Sequence, residues 1–181
     1  MILLIDMDDV LSDFDGEFYR KWSEVHPDIY ITPPNERKCF YLMEESPREY
    51  EDMIRGIYTA PGFIKSLPEI PGSINALKDI ASHGHKIFIC TAPLNAYQNC
   101  VLEKYEWIEE HLGFEWTKKL ILTKDKTLVQ GDVLIDDKPE VTGAAKPVWE
   151  HIVFDKPYNR HTNHSKRMTW ANYKKTLFNE E

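Results

Sequence analysis

Five short apolar runs along the chain predict β-strands. They cover residues 2–5, 86–90, 119–122, 132–135 and 151–154. The first run shows no alternation of apolar and polar side chains, as expected for a strand that is buried on both faces of a parallel sheet. Apolar side chains at helical spacing predict helices over residues 73–83, 97–112 and 168–178. Strands that alternate with helices predict an α/β fold, a parallel five-stranded sheet with helices on both faces.

Residues 13–72 break this alternation, because they hold helical stretches and several prolines but no convincing strand. One stretch covers residues 15–25. A second is predicted to begin at Ser46, where Ser-Pro-Arg-Glu is a capping-box pattern with proline at the first helical position. The sequence therefore predicts two domains. Residues 1–12 and 73–181 form the core, and residues 13–72 form a helical cap inserted after the first strand, over its carboxyl end.

The length and charge of the chain limit the classes of function. The 181 residues carry a formal net charge of −8 at pH 7, which argues against a general nucleic-acid binder, because such a protein needs a basic face. A small anionic substrate stays compatible with this charge, since a metal ion and a few lysines can reverse its sign locally.

The cysteines and the lack of long apolar segments predict a cytoplasmic protein. Cys39, Cys90 and Cys100 are odd in number and lack metal-ligand spacing, which is typical of reduced thiols. No run approaches the roughly eighteen apolar residues of a membrane-spanning helix. The chain begins directly with a predicted core strand, so we expect no signal or transit peptide.

Asp6 and Asp8 follow the first predicted strand at its carboxyl end, where open α/β sheets bind their ligands. Two carboxylates this close repel each other, and partial burial raises the cost of ionising both. A divalent cation that prefers oxygen ligands, such as Mg²⁺, removes that objection. Taken alone, the pair favours a simpler interpretation, in which Asp6 caps a helix and Asp8 is a solvated turn residue.

Three further segments supply the groups that this pair needs. Thr91 ends the second predicted strand, and the Asp136-Asp137 pair ends the fourth. If the strands are parallel, these residues and Asp6 meet in one crevice. Candidate lysines follow the second and third strands: Lys104, Lys124 and Lys126. Lys104 and Lys124 are also compatible with surface charges on their elements.

Each group has a part in the hydrolysis of a phosphate monoester, which carries about two negative charges near neutral pH. Mg²⁺ held by Asp6 and Asp137 would cancel much of the repulsion between the phosphate and an attacking carboxylate. Asp6 is then the nucleophile. Asp8 is the general acid that protonates the leaving oxygen, and later the base that deprotonates water. Lys126 and Thr91 contact the phosphoryl oxygens.

With these residues in place, the chain resembles phosphatases of the haloacid-dehalogenase superfamily and, within it, the 5′(3′)-deoxyribonucleotidases. The superfamily match rests on the aspartates, the threonine, a downstream lysine and the acidic pair described above. The closer match covers nearly the whole chain. It rests on DMDDVLSDF (6–14), EKYEWIEEHLG (103–113), LTKDKT (122–127), DVLIDDKPEVTGA (132–144) and WEHIVF (149–154).

The resemblance implies a Rossmann-like core, a helical cap and Mg²⁺-dependent hydrolysis of deoxyribonucleoside monophosphates. It implies that Asp6 is the nucleophile and that Asp8 is the general acid/base, in contact with the substrate. The implied metal ligands are Asp6, the backbone carbonyl of Asp8 and Asp137. Asp136 is either a further ligand or a group that orients a lysine. Thr91 and Lys126 match phosphate contacts.

The resemblance also implies a nucleoside pocket lined by Phe14, Phe40, Tyr41, Leu42 and Tyr58. Aromatic rings there can stack a base. For any single cap aromatic, packing within the cap is the stronger interpretation. Phe14 is the exception, because it follows the catalytic loop so closely.

Three positions depart from the family pattern. Asp9 stands where the family usually has glycine, which puts an extra carboxylate near the metal. Ala92 replaces a serine, which removes one hydroxyl donor to the phosphate. Lys124 replaces an arginine, which exchanges a bidentate fork for a point charge. We expect the core chemistry to survive all three changes.

We therefore expect a cytoplasmic, Mg²⁺-dependent phosphomonoesterase whose substrate is a nucleoside monophosphate, with deoxypyrimidine nucleotides favoured. Neither nucleic acid nor a membrane is expected as a partner. Two alternatives stay open: a related phosphatase that acts on another small metabolite such as a sugar phosphate, and a non-catalytic nucleotide-binding protein. The sequence leaves open the base, the 5′ or 3′ position, the sugar and the oligomeric state, for which a homodimer is one candidate.

Overall fold

A six-stranded parallel sheet forms the centre of the protein in a computed structural model, which describes residues 1–164 and 166–179. The strands are β1 (Ile2–Ile5), β2 (Lys86–Thr91), β3 (Leu120–Leu122), β4 (Val133–Asp136), β5 (Glu150–Phe154) and β6 (Arg167–Met168). Their order across the sheet is β3-β2-β1-β4-β5-β6, and each adjacent pair is parallel. The predicted α/β class is confirmed.

In the part of the chain that the structure describes, six α-helices connect or flank these strands. They are α1 (Phe14–Val25), α2 (Glu51–Tyr58), α3 (Ser73–Ser82), α4 (Tyr97–Leu112), α5 (Phe114–Thr117) and α6 (Tyr173–Phe178). The predicted glycine stops are confirmed for α3 and α4. Gly84 and Gly113 follow these helices with φ of 81° and 95°, a left-handed conformation that glycine adopts without steric cost.

The central strand β1 is buried on both faces, as its uninterrupted apolar run predicts. Leu3 and Ile5 pack into the main apolar cluster together with residues from α1, α3 and α4. Leu4 packs on the opposite face with Leu134 and Trp149. In the described residues, this smaller cluster draws on strands and connecting segments. The predicted helical layer is therefore present on one face, and connecting segments cover the other.

The sixth strand corrects the prediction of a five-stranded sheet. β6 lies at the start of the segment predicted as a last helix over residues 168–178, and the helix itself begins only at Tyr173. A two-residue strand leaves no periodic signal in the sequence. It forms because the backbone of β5 pairs with it: Val153 N–H donates to Lys166 O at 3.1 Å, and Asp155 N–H donates to Met168 O at 2.8 Å.

Residues 13–72 contain α1, α2 and several single turns, as expected for a largely helical segment. The predicted capping box at Ser46 is wrong. Its hydroxyl donates backwards to Leu42 O at 3.0 Å, and α2 begins five residues later, after a 3₁₀ turn. Phe18 and Trp22 of α1 belong to the same apolar cluster as β1, so this segment shares a continuous apolar core with the sheet. Its boundaries as a separate cap stay a prediction.

Within the described residues, no helix is long and apolar enough to span a membrane.

Candidate active site

The carboxyl ends of three neighbouring strands bring the predicted catalytic residues together. Asp6 directly follows β1 and extends its ladder, since its N–H donates to Ile135 O at 2.9 Å. Thr91 ends β2 on one side, and Asp136 ends β4 on the other, with Asp137 next in the chain. The chain reverses its direction of travel across the sheet at β1, and such a switch point opens the crevice in which α/β proteins bind ligands.

A tight turn after β1 presents Asp6 and Asp8. The carbonyl of Met7 accepts hydrogen bonds from the N–H groups of Leu11 and Ser12, at 2.8 and 2.9 Å. Asp9 closes this turn with φ of 57°. A left-handed backbone explains why glycine suits this position, and aspartate is among the few other residues that tolerate it.

The extra carboxylate of Asp9 lies in an ion pair, where it is neutralised. Its Oδ1 accepts from Lys156 Nζ at 2.9 Å and from the backbone N–H of Asp15 at 3.2 Å. The carboxylate cluster that has metal-ligand spacing does not include it. Asp9 therefore ties the turn to α1 and to the segment after β5.

Lys126 lies beneath the aspartates, in the interior. Its Nζ is 2.9 Å from Asp6 Oδ1 and 2.6 Å from Asp136 Oδ2. Burial acts to lower the pKa of Lys126, but the two carboxylates outweigh it and hold that pKa above its usual value. Asp136 also accepts from the backbone N–H of Lys138 at 2.9 Å. Its contact with the Lys126 ammonium fits the lysine-orienting role considered for it, and its place among the clustered carboxylates fits the metal-ligand role.

Three carboxylates form a buried cluster at this edge. Oxygen atoms of Asp6, Asp136 and Asp137 all lie within 4.8 Å of one another. Burial raises the pKa of Asp6, and burial together with Asp136 and Asp6 raises the pKa of Asp137 well above its usual range. The Tyr158 hydroxyl donates a hydrogen bond to Asp137 Oδ2. An all-oxygen cluster with mutual repulsion fits a hard divalent cation.

Lys104 is buried, so the interpretation of this lysine as a surface charge is wrong. It is fully buried, and its Nζ contacts both carboxylate oxygens of Asp8, at 2.7 and 2.8 Å, and Thr91 Oγ1 at 3.2 Å. A signal was present in the sequence. Lys104 shares a helical face of α4 with Cys100, Trp107 and Ile108, which are all buried.

A cavity of about 430 Å³ opens above the carboxylates. The predicted substrate residues that line it are Asp8, Phe14, Phe40, Tyr41, Leu42, Tyr58 and Thr91. Asp6 and Asp137 also line it, whereas Lys126 contacts Asp6 but does not line the cavity. The cavity thus joins the carboxylate edge to a wall of aromatic side chains.

Several residues of this wall carry no signal in the sequence. Asp15, Arg37 and Tyr158 also line the cavity, and all three are buried. Lys124, which the sequence did indicate as a candidate, lines the cavity as well, and its Nζ donates to Asn95 Oδ1 at 3.0 Å and to Pro93 O. Their positions depend on contacts between segments that are far apart in the chain.

Comparison with known proteins identifies the family. The model of the family described as 5′ nucleotidase, deoxy (pyrimidine), cytosolic type C matches residues 1–179. The chain belongs to this family. A Bordetella bronchiseptica protein with a provisional 5′(3′)-deoxyribonucleotidase name is 48% identical over 180 residues, which cover 99% of this chain and 97% of that protein. The cytosolic 5′(3′)-deoxyribonucleotidase of Homo sapiens is 41% identical over 164 residues, 88% of this chain and 82% of the human protein.

Solved structures show the same fold at low sequence identity. A haloacid-dehalogenase family hydrolase from Deinococcus radiodurans has a TM-score of 0.61 at 14% identity, and the match covers 97% of this chain and 94% of that one. The match to the family model confirms the predicted resemblance to the deoxyribonucleotidases. The likeness to the solved hydrolase shows a shared fold.

Proposed function

We propose that the protein hydrolyses deoxyribonucleoside monophosphates to nucleoside and inorganic phosphate in a Mg²⁺-dependent reaction in the cytoplasm. The observation that carries this proposal is the single cavity that joins the Asp6 and Asp8 carboxylates to an aromatic wall. Phosphatase chemistry needs only the carboxylates. Binding of a nucleotide base also needs the aromatic wall, and stacking of a base on aromatic rings contributes about 1–3 kcal/mol.

Asp6 is the nucleophile in this proposal. One of its carboxylate oxygens attacks phosphorus, and the bond from phosphorus to the nucleoside oxygen breaks as the aspartyl-phosphate forms. Asp8 gives its proton to the leaving oxygen. Water then attacks the aspartyl-phosphate, Asp8 takes a proton from that water, and phosphate leaves with Asp6 restored.

Positive charge around Asp6 makes the attack on a dianion feasible. In this proposal the Thr91 hydroxyl contacts the phosphoryl oxygens, and Lys126, which is 2.9 Å from Asp6 but does not line the cavity, contributes positive charge beside the nucleophile. Asp6, Asp137 and the backbone carbonyl of Asp8 would hold Mg²⁺, with Asp136 close by. When bound, the ion supplies a positive charge that offsets the repulsion between carboxylate and phosphate.

Lys104 gives Asp8 a fixed position. Because its ammonium contacts both Asp8 oxygens and also Thr91, the acid/base and a phosphate-binding hydroxyl are held by one buried group. This arrangement keeps Asp8 near the oxygen that it must protonate, which favours catalysis by position.

The aromatic wall favours a nucleotide over a sugar phosphate. Phe14 packs edge-on against Phe63 at 5.2 Å and lies 6.0 Å from Tyr58, so its ring is supported from behind. A sugar phosphate would leave this apolar surface uncovered. A non-catalytic role is disfavoured because every group that the chemistry needs is present at one site.

Phosphate release from a substrate panel tests the proposal. Ribo- and deoxyribonucleoside 5′- and 3′-monophosphates are compared with common sugar phosphates, with Mg²⁺, with EDTA and for Asp6→Asn. We expect metal-dependent turnover of deoxynucleotides that Asp6→Asn abolishes. Turnover of sugar phosphates alone would contradict the nucleotide assignment. Nucleotide binding without any turnover would support the non-catalytic alternative.

A further inference from the structure

The segment that carries Phe40 has no regular secondary structure, and two side chains hold its backbone. Arg37 Nη2 donates to the carbonyls of Cys39 and Phe40, at 2.9 and 2.8 Å. Glu45 Oε1 accepts from the N–H groups of Lys38 and Cys39, the latter at 2.5 Å. Since a loop lacks partners from a helix or sheet, these bonds determine where the Phe40 ring lies.

Arg37 also ties this segment to the first turn of α1. It is only 3% exposed, and its Nη1 donates to the buried carboxylate of Asp15. The backbone N–H of Asp15 in turn donates to Asp9 Oδ1 at 3.2 Å. One guanidinium therefore links the aromatic segment to the turn that presents Asp6 and Asp8.

A third contact of Arg37 leads to the carboxylate cluster. Its guanidinium carbon lies 4.9 Å from the centre of the Tyr158 ring, a cation–π distance, and the Tyr158 hydroxyl donates to Asp137. The Phe40 ring packs edge-on against the same Tyr158 ring, with centroids 5.9 Å apart. Phe40 and Asp137 thus share one support, and Arg37 packs on it.

We propose that Arg37 is a positioning residue for substrate selection: it sets the Phe40 ring at a fixed place relative to Asp137 and the catalytic turn. This inference rests on the proposed nucleotidase function, and it deepens it by naming the group that aligns the base with the phosphate. A planar, multidentate donor is needed, because one cation must satisfy a carboxylate and two carbonyls at once.

Arg37→Lys tests this proposal, since lysine keeps the charge beside Asp15 but cannot bind all three acceptors. We expect KM for a deoxynucleoside monophosphate to rise about tenfold, because roughly one stacking contact with the base is lost, while kcat changes little. The inhibition constant of inorganic phosphate, which has no base, is measured alongside and should stay within about twofold. Arg160→Lys, at an exposed arginine that pairs with Asp155, is the matched control and should change neither.

A double-mutant cycle with Phe40→Ala separates positioning from general stabilisation. If Arg37 acts through Phe40, Arg37→Lys should raise KM little further once the ring is absent. An equal tenfold rise in both backgrounds, or an equal loss of phosphate affinity, would overturn the proposal. If thermal unfolding shows that Arg37→Lys does not fold, Arg37→Gln with Asp15→Asn, which removes both charges of the pair, replaces it in the cycle.

Failure of the proposed function has a different signature. A wild-type enzyme that turns over sugar phosphates but no deoxynucleotide refutes the nucleotidase assignment, and this inference with it. A wild-type enzyme that turns over deoxynucleotides, with KM unchanged in Arg37→Lys, refutes the inference alone.

Discussion

The carboxylate edge and the aromatic wall of the cavity are built in different ways. At the edge, Asp6 and Asp136 are fixed by strands that end within one residue of them, so their positions follow from the sheet. The wall joins α1, the irregular segment around Phe40 and α2, which are held by contacts such as Arg37 with Asp15. The edge is set by local chain geometry, whereas the wall is set by tertiary contacts.

The two regions also differ in what they contribute to stability. Burial and mutual repulsion raise the pKa values of Asp6 and Asp137, so holding both ionised without a cation is unfavourable. At the wall, apolar rings pack against one another, and Phe14 with Phe63 is one such pair. Substitutions at the edge should therefore affect chemistry most, and substitutions at the wall should affect substrate affinity most.

Asp6→Asn should have the largest effect, because it removes the proposed nucleophile and leaves the sheet intact. We expect kcat to fall by at least about 10⁴-fold, the scale of loss when a nucleophile is removed. Phosphate release in Mg²⁺ measures it, and far-UV circular dichroism checks the fold. Asp28→Asn, at an exposed aspartate in a loop, is the control and should keep full activity. Full activity of the Asp6 variant would contradict the account.

Lys126→Met compares a lysine of the edge with one of the wall. Without Lys126, the buried Asp6 and Asp136 lose their counter-charge, and we expect a loss of about 3 kcal/mol in the free energy of unfolding in EDTA. Lys124→Met should cost less than about 1 kcal/mol, because its ammonium is exposed. Urea denaturation of both variants measures the difference. Equal losses would show that the two lysines have equivalent surroundings.

Phe40→Ala should change affinity for the nucleotide and little else. We expect KM for a deoxynucleoside monophosphate to rise about tenfold at nearly constant kcat, because one stacking surface is lost. Phe114→Ala, at a 60% exposed ring outside the cavity, is the matched control. Steady-state kinetics measure both. A fall in kcat with unchanged KM would show that Phe40 affects the chemical step and not substrate affinity. The wall and the carboxylate edge would then not differ in the way described above.

Asp137→Asn should change the free energy of unfolding less than Lys126→Met does, and the change should be stabilising. In EDTA we expect a gain on the order of 1 kcal/mol and a higher Tm, because a repelled buried charge is removed while the amide oxygen still accepts from Tyr158. The rise in Tm that Mg²⁺ gives to the wild type should be lost. Calorimetry with and without Mg²⁺ tests this. A lower Tm in EDTA, or an unchanged response to Mg²⁺, would contradict a metal site at this cluster.

The same contrast explains what the sequence could predict. The five longer strands were predicted because each carries at least three consecutive apolar residues, and Asp6, Thr91 and Asp136 follow directly from their ends. β6 was not predicted, because two residues leave no periodic pattern in the sequence. This strand forms through its pairing with β5. The place of Arg37 at the cavity was not predicted, because its partner Asp15 is 22 residues away in the chain. Lys104 was undervalued although its helical face already indicated burial.

The most direct test of the central claim is to quench the reaction within one turnover and to locate protein-bound phosphate. With a deoxynucleoside monophosphate labelled in its phosphate, the account predicts label on the peptide that contains Asp6, in the wild type and only with Mg²⁺. Asp6→Asn should carry none. Rapid release of phosphate with no labelled protein, together with activity in Asp6→Asn, would contradict the account.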